Sequence, residues 1–245
     1  MDYIYDGSFE GLLTAIFEAY YRKQHPDRIL PGRNHQRDIF SEVEEISTDF
    51  EKFERVYNSI RTKISHESLI KLYYTYLSEL PDAGTMIHEY LRLGFKVGRK
   101  IDFYLSDDRV LQVENVSRKV SGERHRMLGL LRFHCLKSGV FYGPIEPDFN
   151  IAALLAPHFA ERLPDQNWVI HDVKRCIGVF YNTTDNQWMV SDFDTNQYNL
   201  MKEDSVYQEL WKQFFASIAI KNRINPKLQK QHMPIRYWRY LVEKG

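Results

Sequence analysis

Cysteine is scarce in this 245-residue chain, which has only Cys135 and Cys176. Both stand in apolar contexts, Phe133-His134-Cys135-Leu136 and Cys176-Ile177-Gly178-Val179. That usage argues against a disulfide framework and for buried thiols in a reducing compartment. A cysteine-held iron–sulfur cluster needs more thiols than these. No run approaches the roughly 18 apolar residues of a membrane-spanning helix. The start, Met1-Asp2-Tyr3-Ile4-Tyr5-Asp6, lacks the basic and then apolar layout of a secretory signal. A soluble, cytoplasmic protein with no membrane contact is expected. Reactive spacings are missing too. There is no Cys-x-x-Cys, His-x-Glu or His-Glu-x-x-His for zinc, so no metal is expected. There is no Gly-x-Ser-x-Gly elbow, Walker loop or Gly-x-Gly-x-x-Gly for nucleophilic or phosphate-loop chemistry, and no cofactor is expected.

Net charge is absent only in total, because 33 basic and 33 acidic residues cancel. Residues 1–91 carry a net −6, residues 92–137 +6, residues 138–211 −7 and residues 212–245 +7. Blocks of this kind either build a charged surface that the total conceals or neutralise one another in the fold. Aromatics are plentiful, with 16 Tyr, 15 Phe and 4 Trp, and most of them belong to the core.

The pattern predicts an α+β chain, with a mainly helical N-terminal part over residues 1–84 and an α+β core domain over 85–245. In the first part, Tyr3–Tyr5 reads as a strand. A helix follows with Leu12, Leu13, Ile16, Phe17 and Tyr20 inward, capped by Ser8. Residues 38–47 alternate weakly and read as a strand. Thr48-Asp49-Phe50-Glu51 has capping-box form and opens a second helix. Helices through Leu69–Leu80 and Met86–Leu93 follow, separated by Pro81. Gly94 and Gly98 are spaced too widely for the tight turn of a helix-hairpin-helix, and a helix C-cap explains them as well. After Ser106-Asp107-Asp108 comes a helix marked by Val110, Val113, Val116 and Val120, which Gly122 ends or kinks. Residues 132–136 and 140–144 form a hairpin, and Asn150 caps a helix over 151–163. Strands around Trp168–Ile170, Ile177–Tyr181 and Trp188–Val190 make an antiparallel sheet flanked by helices. Residues 203–220 are a strong amphipathic helix, and Pro234 opens a last short one.

Three histidines, His125, His158 and His171, have the pKa range for general acid–base work. His158 and Arg162 share a helix face four residues apart. Asp172 and Arg175 follow His171 at a strand end, where polar groups are commonly presented. These six are the candidate catalytic residues, and the competing reading makes the histidines structural or superficial. Two cationic clusters suit a polyanion. One is Arg118, Lys119, Arg124, Arg126 and Arg132, and the other is Lys227, Lys230, Arg236, Trp238 and Arg239, interleaved with Tyr237 and Tyr240. Cations among aromatics suit single-stranded nucleic acid, since phosphates meet the former and bases stack on the latter. The competing reading is a solvated basic face with the aromatics packed inward.

Several blocks in one order carry a resemblance. They are Tyr5–Leu13 with Ile16–Tyr20, His125-Arg126-Met127 with Gly129 and Arg132-Phe133, then Glu146-Pro147 and His158–Arg162. Trp168–Asp172 with Lys174-Arg175, and His232-Met233-Pro234 with Arg236-Tyr237-Trp238, complete them. In these blocks the chain resembles a bacterial family of probable DNA metabolism proteins, whose C-terminal two-thirds is a domain of unknown function. The resemblance implies a gene neighbour that is a radical-SAM protein of DNA modification or repair. Some members carry a uracil-DNA-glycosylase-like extension, and this chain is expected to be one without it. It lacks a three-cysteine radical-SAM signature, so the resemblance makes it the companion rather than the catalyst, and carries no catalytic residue across.

The expected function is a DNA-associated accessory protein acting with a radical-SAM partner in DNA repair or modification, with the aromatic, acidic 183–215 region docking the partner. Two alternatives remain open. One is an enzyme acting on a nucleotide or nucleobase through the His/Asp/Arg residues. The other is a protein adaptor without DNA contact.

Overall fold

The computed structural model describes residues 1–32, 42–136, 139–193 and 233–241. Two compact units are present, Met1–Ser121 and Gly122–Gly245. The α+β class is as the sequence predicts, with two sheets and long helices.

The first unit is helical but also holds a small parallel sheet. Strand β1 (Asp2–Tyr5) lies between β2 (Arg28–Pro31) and β3 (Val43–Glu45), parallel to both. Helix α1 (Phe9–Tyr21) starts at Ser8, whose hydroxyl accepts from the Gly11 amide. It buries Leu12, Leu13 and Ile16 against Tyr3 and Ile29, as the spacing predicts. Tyr20 departs from that expectation and is 77% exposed.

Helix α2 (Phe50–Ser59) is capped one residue later than the capping-box reading places it. The Asp49 carboxylate accepts from the amides of Glu51 and Lys52 at 3.0 and 3.1 Å, while the Thr48 hydroxyl donates to Asp6 instead. Asp49→Ala is therefore expected to cost about 1 kcal/mol. Thr48→Ala should cost about half that or less, since it removes one exposed hydrogen bond. Urea midpoints of the two variants check the order, which the capping-box reading would reverse.

A π-helical turn, Ile60–Ile64, leads to α3 (His66–Leu77), and α4 (Ala83–Val97) follows. Gly84 lets α4 close on β2, because a Cβ there would come within 2.4 Å of the Ile29 carbonyl. Gly94 is inside α4, and Gly98 caps it at φ +62°, so the two glycines make a C-cap and not a hairpin between helices. Helix α5 (Asp108–Leu130) begins where Asp107 accepts from the Arg109 amide. It runs unbroken through Gly122. One interior glycine costs a helix only about 1 kcal/mol, and buried Val120, Glu123 and Met127 hold this one on either side.

The second unit is built on a five-stranded sheet in the order β4-β5-β6-β7-β8. Its strands are His134–Cys135, Phe141–Ile145, Trp168–Asp172, Ile177–Asn182 and Gln187–Asp192. The hairpin and the final meander are antiparallel as expected, but β5 and β6 are parallel, so the sheet is mixed. Parallel neighbours need a crossover, and α6 (Ala152–Arg162) supplies it. Its N-cap position is Ile151, not Asn150. One sheet face packs Trp168 flat on Tyr181 with ring centres 5.1 Å apart, next to Phe133 and Phe159. The other face gathers Tyr142, Val169, Phe180 and Phe193. Pro234 precedes a 3-10 helix, Ile235–Tyr240. The thiols differ from expectation, since Cys135 is half-buried and Cys176 exposed, and both are free. The helix read over 203–220 lies outside the described residues. No described helix is long and apolar enough to cross a membrane.

Candidate functional site

Three sequence-predicted residues of the second unit, Arg175, Arg236 and Arg239, converge on the loop Glu146–Phe149, but as a latch. At its centre is Glu123, a residue of α5 with no exposed surface. Its carboxylate accepts from the amides of Asp148 and Phe149 at 3.0 and 2.9 Å, and also from the Tyr237 hydroxyl. Arg236 reaches the same carboxylate at 3.2 Å and Asp148 at 2.6 Å. Arg239 pairs with Glu146 at 2.7 Å, so the 3-10 helix is fastened to the loop twice. Burial pushes the Tyr237 hydroxyl well above its ordinary pKa, and the neighbouring Glu123 adds to the shift. Tyr237 therefore stays a neutral donor at any working pH.

Asp172 and Arg175 close a second fastening. Asp172 has no exposed surface and accepts from the Arg175 amide at 3.2 Å and from its guanidinium at 3.0 Å. The same guanidinium donates to the carbonyls of Pro147 and Asp148. His171, on the opposite face of β6, is equally inaccessible. Its Nδ1 lies 2.6 Å from the Tyr142 hydroxyl, and its ring meets Phe193 edge to face.

A group with no solvent surface meets no dissolved substrate in this conformation, so His171 and Asp172 stand here as structural members. His158 is half-buried beside Phe159, while Arg162 and His125 are exposed. The six catalytic candidates are thus divided between interior and surface rather than gathered in one cleft. Among the described residues, no group of three or more His, Cys, Asp or Glu is placed to hold a metal ion.

Most described arginines of the two cationic clusters are engaged within the chain. Arg124 donates to the Leu154 carbonyl, and Arg132 to those of Gly129 and Leu131 at the negative end of α5. Trp238 donates to the Met233 carbonyl. Lys227 and Lys230 lie outside the described residues.

What stays open on α5 is Asn115, Arg118, Lys119 and Ser121 in the first unit, while in the second His125 and Gly129 are exposed and Arg126 is half-buried. Neither acid of that stretch competes with them at the surface, since Glu123 is buried and Glu114 is held by Lys71 at 3.0 Å. Arg118 touches Glu114 at 3.2 Å but is 71% exposed, and such a surface pair is worth little.

In the first unit, a hollow of about 450 Å3 opens at the carboxyl ends of β1 and β3, beside Asp6, Glu45 and Ser47. Hydrogen bonds from Ser8 and Thr48 outweigh burial and hold the Asp6 carboxyl below its usual range. Two acids and no described cation give this hollow nothing for a phosphate.

Sequence reasoning missed Glu123, Glu146, Asp148 and Tyr142. For Glu146 and Asp148 the available signal was the pairing of a −7 block with a +7 block, which Arg236 and Arg239 now join across the loop. A family model described as a domain of unknown function, DUF4130, matches residues 81–243. Searches of curated proteins and of solved structures found no match.

Proposed function

The chain belongs to the DUF4130 family of unknown function, and we propose that it is a DNA-associated accessory protein working beside a radical-SAM partner in DNA repair or modification. The partner and the process come from the resemblance to probable DNA metabolism proteins. The observation that supports the nucleic-acid part is on α5, where Lys119 and His125 are exposed, Arg126 is half-buried, and Arg118 is 71% exposed despite its contact with Glu114. Exposed cations of this kind meet phosphates, and affinity then comes from released counterions.

The test is fluorescence anisotropy with labelled single- and double-stranded oligonucleotides between about 50 and 200 mM salt. Arg118→Glu with Lys119→Glu is expected to weaken binding at least about tenfold and to reduce the salt slope by about two. Absence of binding at the lowest salt, or affinity indifferent to salt, would sink the proposal.

One observation favours the adaptor alternative. Strand β8 is at the sheet edge with every residue exposed, including Trp188, Met189 and Val190. Among the described residues no strand pairs with its outer side, and an edge of that kind accepts an added strand. Capture of a partner that Val190→Asp abolishes, with no oligonucleotide bound, would select it.

A further inference from the structure

Two tyrosines at the end of α1 are exposed far beyond what a core pattern explains, Tyr20 at 77% and Tyr21 at 74%. Neither ring hangs free. Tyr21 lies flat on Phe17, with centres 5.8 Å apart and planes 10° off parallel. Arg55 of α2 sits over Phe17 at 4.9 Å. Tyr20 leans on Phe95 of α4 at 6.5 Å. The rings are therefore held in place while most of their surface stays open to solvent.

Cations lie on and beside the elements that carry their ring partners. Arg61 lies over Tyr57, and Lys63 follows in the same π-helical turn. The Lys63 carbonyl is 3.4 Å from the position a Cβ on Gly98 would take, which brings that turn beside Lys96, Arg99 and Lys100. With Arg55 these are six exposed cations, and none has an ion-pair partner among the described residues. Four of the acids in residues 1–91 are spent on other cations. Glu18 holds Arg22 and Lys52, Glu44 also holds Arg22, Asp2 holds Arg28, and Asp27 holds the N-terminal amine.

The end of α4 is a favourable place for cations in any protein. That explains Lys96 and its neighbours but not the two presented rings. Glu51 and Glu54 are also exposed on α2, so the positive charge is heaviest toward Lys63 and Lys96–Lys100.

We propose that the first unit carries a stacking site for single-stranded nucleic acid, in which Tyr20 and Tyr21 take unstacked bases and the cations from Arg55 to Lys100 take the phosphates. Flat open rings beside unpaired cations match a ligand with both π faces and regular negative charge. A duplex hides its base faces, and an acidic peptide has none to offer. This inference deepens the DNA-associated reading and rests on it, but it uses a different surface from α5.

The experiment compares the wild-type chain with three new variants and with the Arg118→Glu, Lys119→Glu variant above, using a labelled oligothymidylate, a duplex of equal length and a polyglutamate competitor, at about 50 mM salt. Tyr20→Ala with Tyr21→Ala is expected to weaken single-strand binding by about tenfold or more and to leave duplex binding unchanged. Tyr20→Phe with Tyr21→Phe should restore it, because the ring and not the hydroxyl stacks. Lys96→Glu with Lys100→Glu should weaken it and flatten its salt dependence. Circular dichroism confirms folding of each, and all four positions are exposed. Unchanged single-strand affinity in the alanine variant overturns the stacking site. If the Arg118→Glu, Lys119→Glu variant alone then loses binding, the α5 reading stands without it. Loss in the tyrosine variant alone supports this site and removes α5. Polyglutamate that displaces the oligonucleotide equally well from wild type and alanine variant overturns the site in favour of an acidic protein. No binding to either oligonucleotide removes both readings.

Discussion

Replacing Glu123 by alanine is expected to destabilise the protein by about 3–5 kcal/mol, the range seen when one partner of a buried charged network is removed. The carboxylate has no exposed surface and receives the amides of Asp148 and Phe149, the Tyr237 hydroxyl and one arm of Arg236. Truncation leaves three neutral donors facing a cavity that holds no acceptor, and each unsatisfied donor costs about 1–3 kcal/mol. The arginine contributes less, since it is nearly half-exposed and keeps Asp148 as a partner.

Glu123→Gln retains one acceptor oxygen but turns the other into a donor that faces an amide, so an intermediate loss is expected. Asp148→Asn, at the exposed rim, should lie within about 1 kcal/mol of wild type. Urea unfolding gives the order. Hydrogen exchange gives the place, because the Asp148 and Phe149 amides should lose protection in Glu123→Ala before the strands do. An alanine variant as stable as wild type would show that the 3-10 helix and its loop add nothing to the fold.

The same residues show where the sequence could be read and where it could not. Leu12, Leu13 and Ile16 recur at helical spacing, and their burial followed from that period alone. Tyr20 continues the period, yet α1 outlasts its core by a turn, and nothing in the pattern marks where a core stops. The strands Trp168–Asp172, Ile177–Asn182 and Gln187–Asp192 were legible because short turns join them. Strand β2 was not, since four residues ending in proline find their partner 26 positions away. The helix between β5 and β6 implied a parallel pair, and reading it as a flank rather than a crossover hid that. Glu123 looked like a lone acid in a basic segment. Its partner Arg236 is 113 positions on, and only the fold shows that they meet. For the same reason the charge totals misplaced the open cations. They count residues, whereas a surface is made by those left over after ion pairing.

Acid should unfold the first unit through His88 more steeply than its carboxylates alone would require. His88 is on α4 and is only 3% exposed. Burial pulls its pKa down to about 4, with Arg92 and His25 adding to the shift and Glu89, 3.8 Å away, opposing it. An unfolded histidine titrates near ~6.5, so the unfolded chain takes up this proton first as pH falls. The stability held by neutral His88 is complete above about pH 6.5, shrinks by about 1.4 kcal/mol per pH unit below that, and is fully lost near pH 4. Some 3 kcal/mol in total is at stake, as an order of magnitude. His88→Leu keeps an apolar side chain of similar volume and removes the titration. Its unfolding free energy, measured from pH 7.5 to 4, should lose less than that of wild type, and the difference should grow with that slope across this window. Carboxylate titration is common to both chains and cancels in the comparison. Parallel curves would mean that His88 takes up its proton equally readily in the folded and unfolded chains, and that burial does not govern its charge.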